Sequence, residues 1–582
     1  MKATSPAKRR VTSTGAASVD PVFEAYWLSL KAATLEQQLA TAKSLAKAVK
    51  LKSAKASLLG NDALAATRVA REILLTSASD AVVSSADAWE AARALKKSPL
   101  VDNAEPLFAT AGLQPDPKHL NHLLAPHERT SRAAKSGGAK PALPCAATNP
   151  IWHLELINAP QAWLLKPSPG GLRFGEGIVV GHPDTGYTQH GEVWDAGLAS
   201  SRRLRPELGY NFEEGVADPT DPMSGTFPGH GTGTASVIMS GRGGPGTPFV
   251  TGSAPESRLV PIRVSDSVIH WSFKNAIQSI YHATDKAGAH IISMSLGGPV
   301  HSSAFESAIA YAISKGVIVL AAAGNVWPFV VYPARFESVI AVAACNCLRK
   351  PWKDSARGDA VDITAPGESV WRACSQLKNG KLSYTVAPGS GTSYAVATLA
   401  GACANWLAFH GRDALLARYG AARLAGVFKQ LLTTAGCVPP TGWDKKKYGA
   451  GLLDLQRLLA APLPPAGKAK KSAAAKANGA VSASGQIAGY FPDVPKATAK
   501  RGVSRILASK RSSISSKGKS TSVGDELAFH VATNAELRAA IRRQLMAGTK
   551  KSTKKSTGTS PLVSLMKSPS PALRALLSNE ST

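Results

Sequence analysis

Five short apolar segments, separated by segments of helical periodicity, constrain the fold of this chain more than any other feature. They lie at 177–181, 259–264, 289–298, 316–325 and 339–344. Such near-continuous apolar strands are buried on both faces, as in parallel sheets that are covered by helices. The segments 273–287 and 303–315 have the pattern of connecting helices. The predicted fold class is therefore α/β, a mainly parallel sheet with helices on both faces.

Polar residues follow three of these predicted strands. Asp184 comes after the first strand, Ser295 lies in the Ser-Met-Ser-Leu-Gly end of the third, and Asn325 ends the fourth. Sites in open α/β sheets form at the carboxyl ends of the strands. The sequence therefore predicts a site at that edge.

A glycine-rich segment, Gly389 to Ala395, follows residues 378–388, which we interpret as polar and turn-rich. It precedes a run of small and apolar residues that predicts a buried helix over 395–406. Glycines at 389 and 391 allow the backbone to bend sharply and to approach a ligand closely. Ser393 would then lie among the unpaired N–H groups of a helix start, in the positive end of the helix dipole. This position suits a nucleophile whose reaction develops an oxyanion, although a simple helix cap also fits.

Four residues together have the composition of a hydrolase site. Ser393 supplies a hydroxyl that needs a base, and His230 is the natural base because its pKa lies near neutrality. Asp184 would orient the imidazole, and Asn325 would donate to the developing oxyanion together with the Ser393 N–H. Each residue alone also fits a turn or a cap. The four on one α/β pattern are much harder to explain by accident.

These segments resemble the motifs of the subtilases, the subtilisin-like serine proteases, over about residues 150–460. The matching segments are Asp184-Thr185-Gly186, His230-Gly231-Thr232, Ser293-Met294-Ser295-Leu296-Gly297, Ala322-Ala323-Gly324-Asn325 and Gly391-Thr392-Ser393-Tyr394-Ala395. The resemblance implies a serine endopeptidase that forms an acyl-enzyme. The chain departs from the family at Gly233 and Ser236, where histidine and glycine are more common, and at Ala397 and Thr398.

The resemblance also implies where a substrate binds. An extended peptide would add as a strand beside Ser295, Leu296 and Gly297. In the pocket for the residue before the cut, these three residues would form one wall and the floor would lie near Val331. Its opposite wall would be formed by Ala322, Ala323 and Gly324. We expect cleavage after small or medium apolar residues.

Composition divides the chain into five predicted parts. The first two are a disordered basic segment (1–20) and a helical and propeptide-like α+β region (21–108). They are followed by a linker (109–149), the catalytic domain (150–463) and a low-complexity basic tail (464–582). Residues 21–70 are predicted to form one or two helices, because Tyr26, Leu30 and Leu35 have helical spacing. Residues 68–108 resemble the end of a subtilase propeptide, and an unrelated accessory domain is the alternative. The tail is predicted to be disordered apart from one helix over 523–546.

The charge of the chain lies mainly in its extensions. Residues 465–582 contain 21 Lys and Arg against 5 Asp and Glu, which is +16 of the net charge of +29. A solvated tail is one interpretation, and a tail that docks on nucleic acid or an anionic surface is another. A protease fold that has lost activity and serves as a binding scaffold is a further hypothesis, which the four intact residues argue against.

Cofactors and location are less constrained by the sequence. The six cysteines lack zinc-ligand spacing and are interpreted as buried thiols. We predict that the chemistry needs no cofactor; the resemblance allows a structural calcium ion, for which no ligand loop is identified. Residues 1–20 lack the apolar core of an export signal, and no run of 18 apolar residues occurs. The sequence therefore predicts no membrane span and slightly favours the cytoplasm, with export by another route left open.

Overall fold

The chain forms three units in the computed structural model. The described residues are 22–30, 44, 55–58, 72–76, 83–109, 146, 148–194, 203–241, 250–270, 272–466, 483–491, 493–507, 522–546, 561–566 and 569–577. An N-terminal unit is followed by a large α/β unit and a group of C-terminal helices. The predicted disordered segment 1–20 and most of the predicted linker lie outside the described residues.

The N-terminal unit is an antiparallel sheet with one helix on it. Its elements are β1 (Val22–Leu30), β2 (Lys55–Leu58), β3 (Glu72–Thr76), α1 (Ser85–Lys96) and β4 (Val101–Ala109). The strand order is β2-β3-β1-β4, so β4 is an edge strand and tolerates Pro106, which has no N–H to donate. Helix α1 has the predicted limits, and the Ser84 hydroxyl caps it by accepting a hydrogen bond from the Asp87 N–H at 3.1 Å.

Strand β1 corrects the prediction of a helix at this position. Ala25 and Trp27 pack into the core of the α/β unit, whereas Tyr26 and Leu28 pack beneath α1. Alternate residues therefore face opposite sides, and both sides are buried. A strand buried on both faces is apolar at nearly every position, which is why it was mistaken for one face of a helix.

In the part of the α/β unit that the structure describes, there are ten helices and the strands that form the main sheet and a hairpin. Its elements are α2 (Trp152–Leu156), α3 (Ala159–Ala162), β5 (Val179–Asp184), a 3₁₀ turn (Pro206–Leu208), β6 (Tyr210–Asn211), α4 (His230–Met239), β7 (Arg258–Arg263), α5 (Lys274–Asp285), β8 (Ile291–Met294), α6 (Ser303–Ser314), β9 (Ile318–Ala322), β10 (Ile340–Cys345), β11 (Ile363–Pro366), β12 (Val370–Lys378), β13 (Lys381–Gly389), α7 (Thr392–His410), α8 (Arg412–Tyr419), α9 (Ala421–Thr434), β14 (Cys437–Val438), α10 (Lys445–Tyr448), β15 (Leu452–Leu453) and α11 (Leu455–Ala460).

The main sheet confirms the predicted fold class. Its nine strands have the order β14-β15-β11-β10-β9-β8-β5-β7-β6, and every pair except β14–β15 is parallel. Helices α4 and α7 pack together against the central strands, and α5, α6 and α9 form another helical layer. Every residue of α7 is buried. Because β9, β8 and β5 are neighbours, the polar residues that follow them come together at one edge.

Strands β12 and β13 form a long hairpin that corrects a second prediction. Residues 378–388 were interpreted as a polar, turn-rich segment, but they belong to two nine-residue strands joined at Asn379-Gly380. Both turn residues have positive φ, 50° and 74°. Such two-residue turns match the twist of the flanking strands and favour Asn-Gly. The hairpin packs on α4.

The C-terminal helices are more extensive than predicted. They are α12 (Ala483–Ala488), α13 (Lys496–Leu507), α14 (Ser522–Thr533), α15 (Ala535–Met546), α16 (Pro561–Ser564) and α17 (Pro571–Leu577). The single helix predicted over 523–546 is two helices, because the Asn534 side chain accepts the Leu537 N–H at 2.9 Å and caps α15. The predicted disorder does not hold for these six helices, whose apolar residues share one hydrophobic cluster.

Candidate active site

Asp184 is the last residue of β5 and His230 is the first residue of α4, and their side chains lie in contact. The His230 Nδ1 atom lies 2.7 Å from Asp184 Oδ1, which also accepts the Thr185 N–H at 2.8 Å. Burial by itself raises the pKa of Asp184, but the neighbouring His230 charge and these hydrogen bonds hold it below its ordinary value. The carboxylate is therefore ionised and directed at the imidazole.

Asp221 ties the ends of these two elements together, and the sequence analysis did not identify it. Its buried carboxylate accepts hydrogen bonds of 2.8 Å from the Thr185 hydroxyl and from the Gly229 N–H. The Thr185 hydroxyl in turn accepts the Gly231 N–H at 3.1 Å. Asp221 therefore fixes both residues that flank His230. Only its burial reveals this role, because its surroundings in the sequence are those of an ordinary turn.

Ser393 is the second residue of α7. Its Oγ donates to the Ser295 carbonyl at 3.3 Å, and the Ser295 hydroxyl donates to the Ser393 carbonyl at 3.2 Å. Ser393 and His230 line the same cleft. The first N–H groups of a helix have no partner within it, so the Ser393 N–H is available to a bound group.

Asn325 lies beside the start of α7. Its Oδ1 accepts the Thr392 N–H at 2.9 Å and the Thr392 hydroxyl at 2.7 Å, which leaves Nδ2 as the outward donor. A Cβ placed on Gly391 would lie 3.5 Å from Asn325 Nδ2 and 3.6 Å from the Ser393 nitrogen. The two donors thus flank the space that the missing Gly391 side chain leaves open.

The cleft contains most of the residues predicted to bind substrate. Ala323 is buried instead, and its carbonyl accepts the Val331 N–H at 3.0 Å. A Cβ on Gly297 would lie 2.8 Å from a Val331 methyl, and a Cβ on Gly324 would lie 3.1 Å from the same methyl. Val331 is therefore wedged between the two walls. The predicted residues that line the cleft are His230, Ser295, Leu296, Gly297, Ala322, Gly324, Asn325, Val331 and Ser393.

Several lining residues were missed by the sequence analysis. Val268 and His270 bond to the backbone of Gly297, with the Gly297 N–H donating to Val268 at 3.0 Å and the His270 N–H donating back at 2.9 Å. This pairing brings a second strand segment to the cleft. The additional lining residues are Phe227, Val268, Ile269, Val326, Trp327, Ser390, Thr392 and Tyr394. Most are apolar, and nothing in their residue types distinguishes them from core residues.

Comparison with known proteins identifies the family. A model of the subtilase family matches residues 175–451. Thermitase from Thermoactinomyces vulgaris is 32% identical over 265 residues, covering 45% of this chain and 82% of thermitase. Subtilisin DY from Bacillus licheniformis is 31% identical over 270 residues, covering 45% of this chain and 88% of that protein. The chain belongs to the subtilase family. It is a subtilisin-like serine endopeptidase.

A solved structure agrees with this subtilase in fold. Fervidolysin from Fervidobacterium pennivorans, a keratinolytic enzyme related to subtilisin, superposes with a TM-score of 0.50 at 20% identity. The match covers 76% of this chain and 62% of that chain. At this level of identity the similarity shows the fold alone.

Two departures of this subtilase from the common family pattern meet the hairpin. A Cβ on Gly233 would lie 2.9 Å from Cδ of Arg372 on β12. Ser236 accepts the Ala373 N–H at 2.9 Å. Arg372 is 8% exposed, and its guanidinium carbon lies 5.5 Å from the ring centre of Tyr394, which follows Ser393 in the chain. Glycine at 233 therefore makes room for a buried arginine behind the site.

Subtilases need no cofactor for catalysis. Within the described ranges, no three His, Cys, Asp or Glu side chains come together to hold a metal ion, so we derive no calcium site. Cys345, Cys374, Cys403 and Cys437 are free, whereas Cys347 is in a disulfide, which corrects the interpretation of all six as thiols. Among the helices described, none is both long and apolar enough to cross a membrane.

Proposed function

We propose that this subtilase hydrolyses peptide bonds of proteins with Ser393 as nucleophile, His230 as general base and Asp184 as the residue that orients His230. The observation that carries the proposal is the 2.7 Å contact between His230 Nδ1 and the buried Asp184 carboxylate. A carboxylate at Nδ1 holds the proton there and leaves Nε2 as the base. The opening of His230 and Ser393 into one cleft supports the same assignment.

In the first step, Ser393 Oγ exchanges its 3.3 Å bond to the Ser295 carbonyl for one to His230 Nε2. Catalytic hydrogen bonds that are long or poorly aligned in the free enzyme tighten only when substrate binds. Oγ attacks the substrate carbonyl carbon while His230 takes its proton. The imidazolium then gives that proton to the leaving amine, and an acyl-enzyme ester remains. Water attacks the ester, again losing a proton to His230, and the acid leaves as Ser393 regains its proton.

The carbonyl oxygen becomes negatively charged at each attack. Asn325 Nδ2 and the Ser393 N–H are the proposed donors, because both flank the space left by Gly391. The two hydrogen bonds from Thr392 hold the Asn325 amide in this orientation before substrate arrives. Donors that are fixed in advance need no reorganisation when the charge develops.

The substrate backbone is proposed to add as a strand beside Ser295–Gly297. Such pairing gives affinity without much sequence demand. Specificity then depends on the pocket bounded by Gly297 and Gly324, where Val331 occupies space that a longer side chain would need. We infer a preference for small or medium apolar residues before the cut.

The N-terminal unit is proposed to be a removable inhibitor, as in a zymogen. It docks on α5 and α6, and the predicted linker connects it to the α/β unit. Self-cleavage is expected between residues 109 and 149. Mass spectrometry that finds only full-length, fully active enzyme would contradict this.

Casein hydrolysis and fluorophosphonate labelling test the proposed function. The purified chain, once processed and freed of its N-terminal unit, should digest casein and take up the probe, and Ser393→Ala should do neither while keeping its circular dichroism spectrum. Ser314→Ala is the matched control, because this exposed serine ends α6 and lies outside the cleft. A folded, fully processed wild-type chain without activity, or labelling that persists in Ser393→Ala, would overturn the proposal.

A further inference from the structure

The N-terminal unit is held on one side by the α/β unit. The Glu105 carboxylate accepts the Ser303 N–H at the start of α6 at 2.7 Å, and Glu24 accepts a hydrogen bond from the Ser272 hydroxyl just before α5. Burial raises the pKa of Glu105. Carboxylates at helix starts satisfy free N–H groups and the positive end of the helix dipole.

The other side of the N-terminal unit is covered by the C-terminal helices. Phe529 of α14 belongs to the core of the N-terminal unit, with its ring centre 5.0 Å from that of Phe108 and 6.3 Å from that of Trp89. Phe529 is 5% exposed. The inner core of the N-terminal unit is therefore completed by a side chain more than 400 residues away in the sequence.

A buried ion pair joins the same two units. Arg93 on α1 donates to the Glu526 carboxylate at 2.9 Å, and Glu526 is fully buried. Glu526 also accepts the N–H and the hydroxyl of Ser570 at 2.8 and 2.7 Å. Burial opposes ionisation of Glu526, but its hydrogen bonds, including the one from Arg93, leave its pKa below the ordinary value. The carboxylate is thus charged in this contact, and loss of Arg93 would leave it without its cationic partner.

The C-terminal helices are themselves anchored on the α/β unit, beside the substrate cleft. The Tyr490 hydroxyl donates to the Pro299 carbonyl at 2.7 Å, and Arg335 donates to the Gln486 carbonyl at 2.8 Å. Phe329 packs edge-on against Tyr490 at 5.1 Å and belongs to the cluster of the C-terminal helices. Trp327, which stacks on Phe329, lines the cleft. The helices therefore bridge the N-terminal unit and the segment that forms the cleft floor.

We propose that the C-terminal helices are an intramolecular clamp that keeps the N-terminal unit bound to the protease after the linker is cut. This inference rests on the proposed function, in which the N-terminal unit is the inhibitor. The unit is held between α5 and α6 on one side and α14 on the other, so linker cleavage alone does not free it. Activation then requires a second event, either removal of the C-terminal helices or their separation from Phe108 and Arg93.

Retention of the cleaved N-terminal unit tests the clamp without using the protease activity. The full chain carries Ser393→Ala and a recognition site for a sequence-specific protease at residues 120–126. After cutting, a fluorescent label on the N-terminal fragment reports its dissociation on dilution. We expect Phe529→Ala to speed dissociation about tenfold or more, as truncation of a buried aromatic anchor does. Arg93→Ala should have an effect of the same sign.

Arg542→Ala is the matched control for Arg93→Ala. Arg542 pairs with Asp493 within the C-terminal helices and is half exposed, so its loss should leave the dissociation rate unchanged. If Phe529→Ala does not fold, the dissociation rate of the Arg93→Ala variant, which is changed in the N-terminal unit, tests the clamp instead. Release at the unmodified rate in the folded variants would overturn the clamp. Casein hydrolysis by the chain with Ser393 intact, measured after the N-terminal fragment has been released, judges the proposed function separately.

Discussion

Asn325 and Thr392 are joined by two hydrogen bonds that end on the same oxygen. The Thr392 N–H and hydroxyl both donate to Asn325 Oδ1, at 2.9 and 2.7 Å. The amide cannot turn over without losing both, so Nδ2 remains the outward donor. The helix that carries Ser393 therefore also sets the orientation of the proposed oxyanion donor.

Removal of this donor should slow the chemical step. We expect Asn325→Ala to lower kcat about 10²–10³-fold with little change in KM, because the donor acts mainly in the transition state. Thr392→Val should lower kcat in the same way, whereas Thr392→Ser keeps the hydroxyl and should recover most of the loss. Steady-state kinetics on a peptide substrate measure both effects. A larger change in KM than in kcat would contradict the assigned role.

Gly391→Ala should impair catalysis without unfolding the protein. Gly391 has φ 171°, an extended value that alanine adopts, and the added methyl would meet its neighbours at 3.5 Å or more. It would, however, occupy the space between the two oxyanion donors. We expect Gly391→Ala to lower kcat about 10²-fold. The same change, introduced into the inactive Ser393→Ala variant, should leave the melting temperature unchanged. Unaltered kcat would show that the oxyanion lies elsewhere.

Gly233 and Arg372 should behave as a coupled pair. A methyl on residue 233 would lie 2.9 Å from Arg372 Cδ, so Gly233→Ala must displace the arginine. Overpacking of this kind costs about 1–3 kcal/mol of unfolding free energy. In an Arg372→Ala background the same change should cost much less. Urea unfolding of the four proteins of the double-mutant cycle gives the coupling energy, and additive effects would contradict the shared space.

Val331 should limit the size of the residue that is accepted before the cut. Val331→Gly removes the methyls between Gly297 and Gly324 and should shift preference toward Phe and Tyr by about 10–200-fold in kcat/KM. Val330→Gly is the matched control, since this buried neighbour is not among the residues that line the cleft. Profiling with a peptide library measures the shift. Strong cleavage after Arg, or an unchanged profile, would mean that the pocket floor is misplaced.

Acid should destabilise the fold through buried histidines. Burial lowers the pKa of His153 to about 4, whereas its ordinary value is 6.5. Between these pH values the unfolded chain binds a proton that the folded chain does not, so stability falls as pH falls from 6.5 to 4. We expect His153→Gln to reduce this acid-induced loss of unfolding free energy by about 1–3 kcal/mol. Urea unfolding at pH 7, 5 and 4 measures the unfolding free energy of the Ser393→Ala form with and without His153→Gln. The same dependence on pH in both proteins would contradict the prediction.

Much of the α/β unit could be predicted because its strands and helices have recognisable local sequence patterns. The strand that ends at Ala322 is a continuous apolar run, the one that ends at Met294 is mostly apolar, and the one that ends at Asp184 begins with two valines. The polar residues at the ends of these strands converge because the strands are parallel neighbours. The hairpin was missed although Asn379-Gly380 is the strongest short signal for one. Its second strand is mostly exposed or half buried, so polar residues hid the alternation.

Other features depend on contacts that no local pattern records. Phe529 lies in the core of the N-terminal unit, and Asp221 holds the loops around His230, yet both look ordinary in sequence. β1 was misread because burial on both faces erased its alternation. The domain limits near 108 and 463, and docking of the basic tail on nucleic acid or an anionic surface, stay predictions.

The hairpin β12–β13 has a consequence for protein engineering. It lies on the helix that begins with His230, and its second strand leads within three residues into the helix that carries Ser393. The Thr188 hydroxyl shares a 2.6 Å hydrogen bond with the Ser375 hydroxyl, and His190 Nε2 lies 2.9 Å from the Thr385 carbonyl oxygen, which fastens the ribbon at mid-length. We therefore expect a ligand-binding domain grafted at Asn379-Gly380 to displace His230 and Ser393 together and to make hydrolysis respond to that ligand.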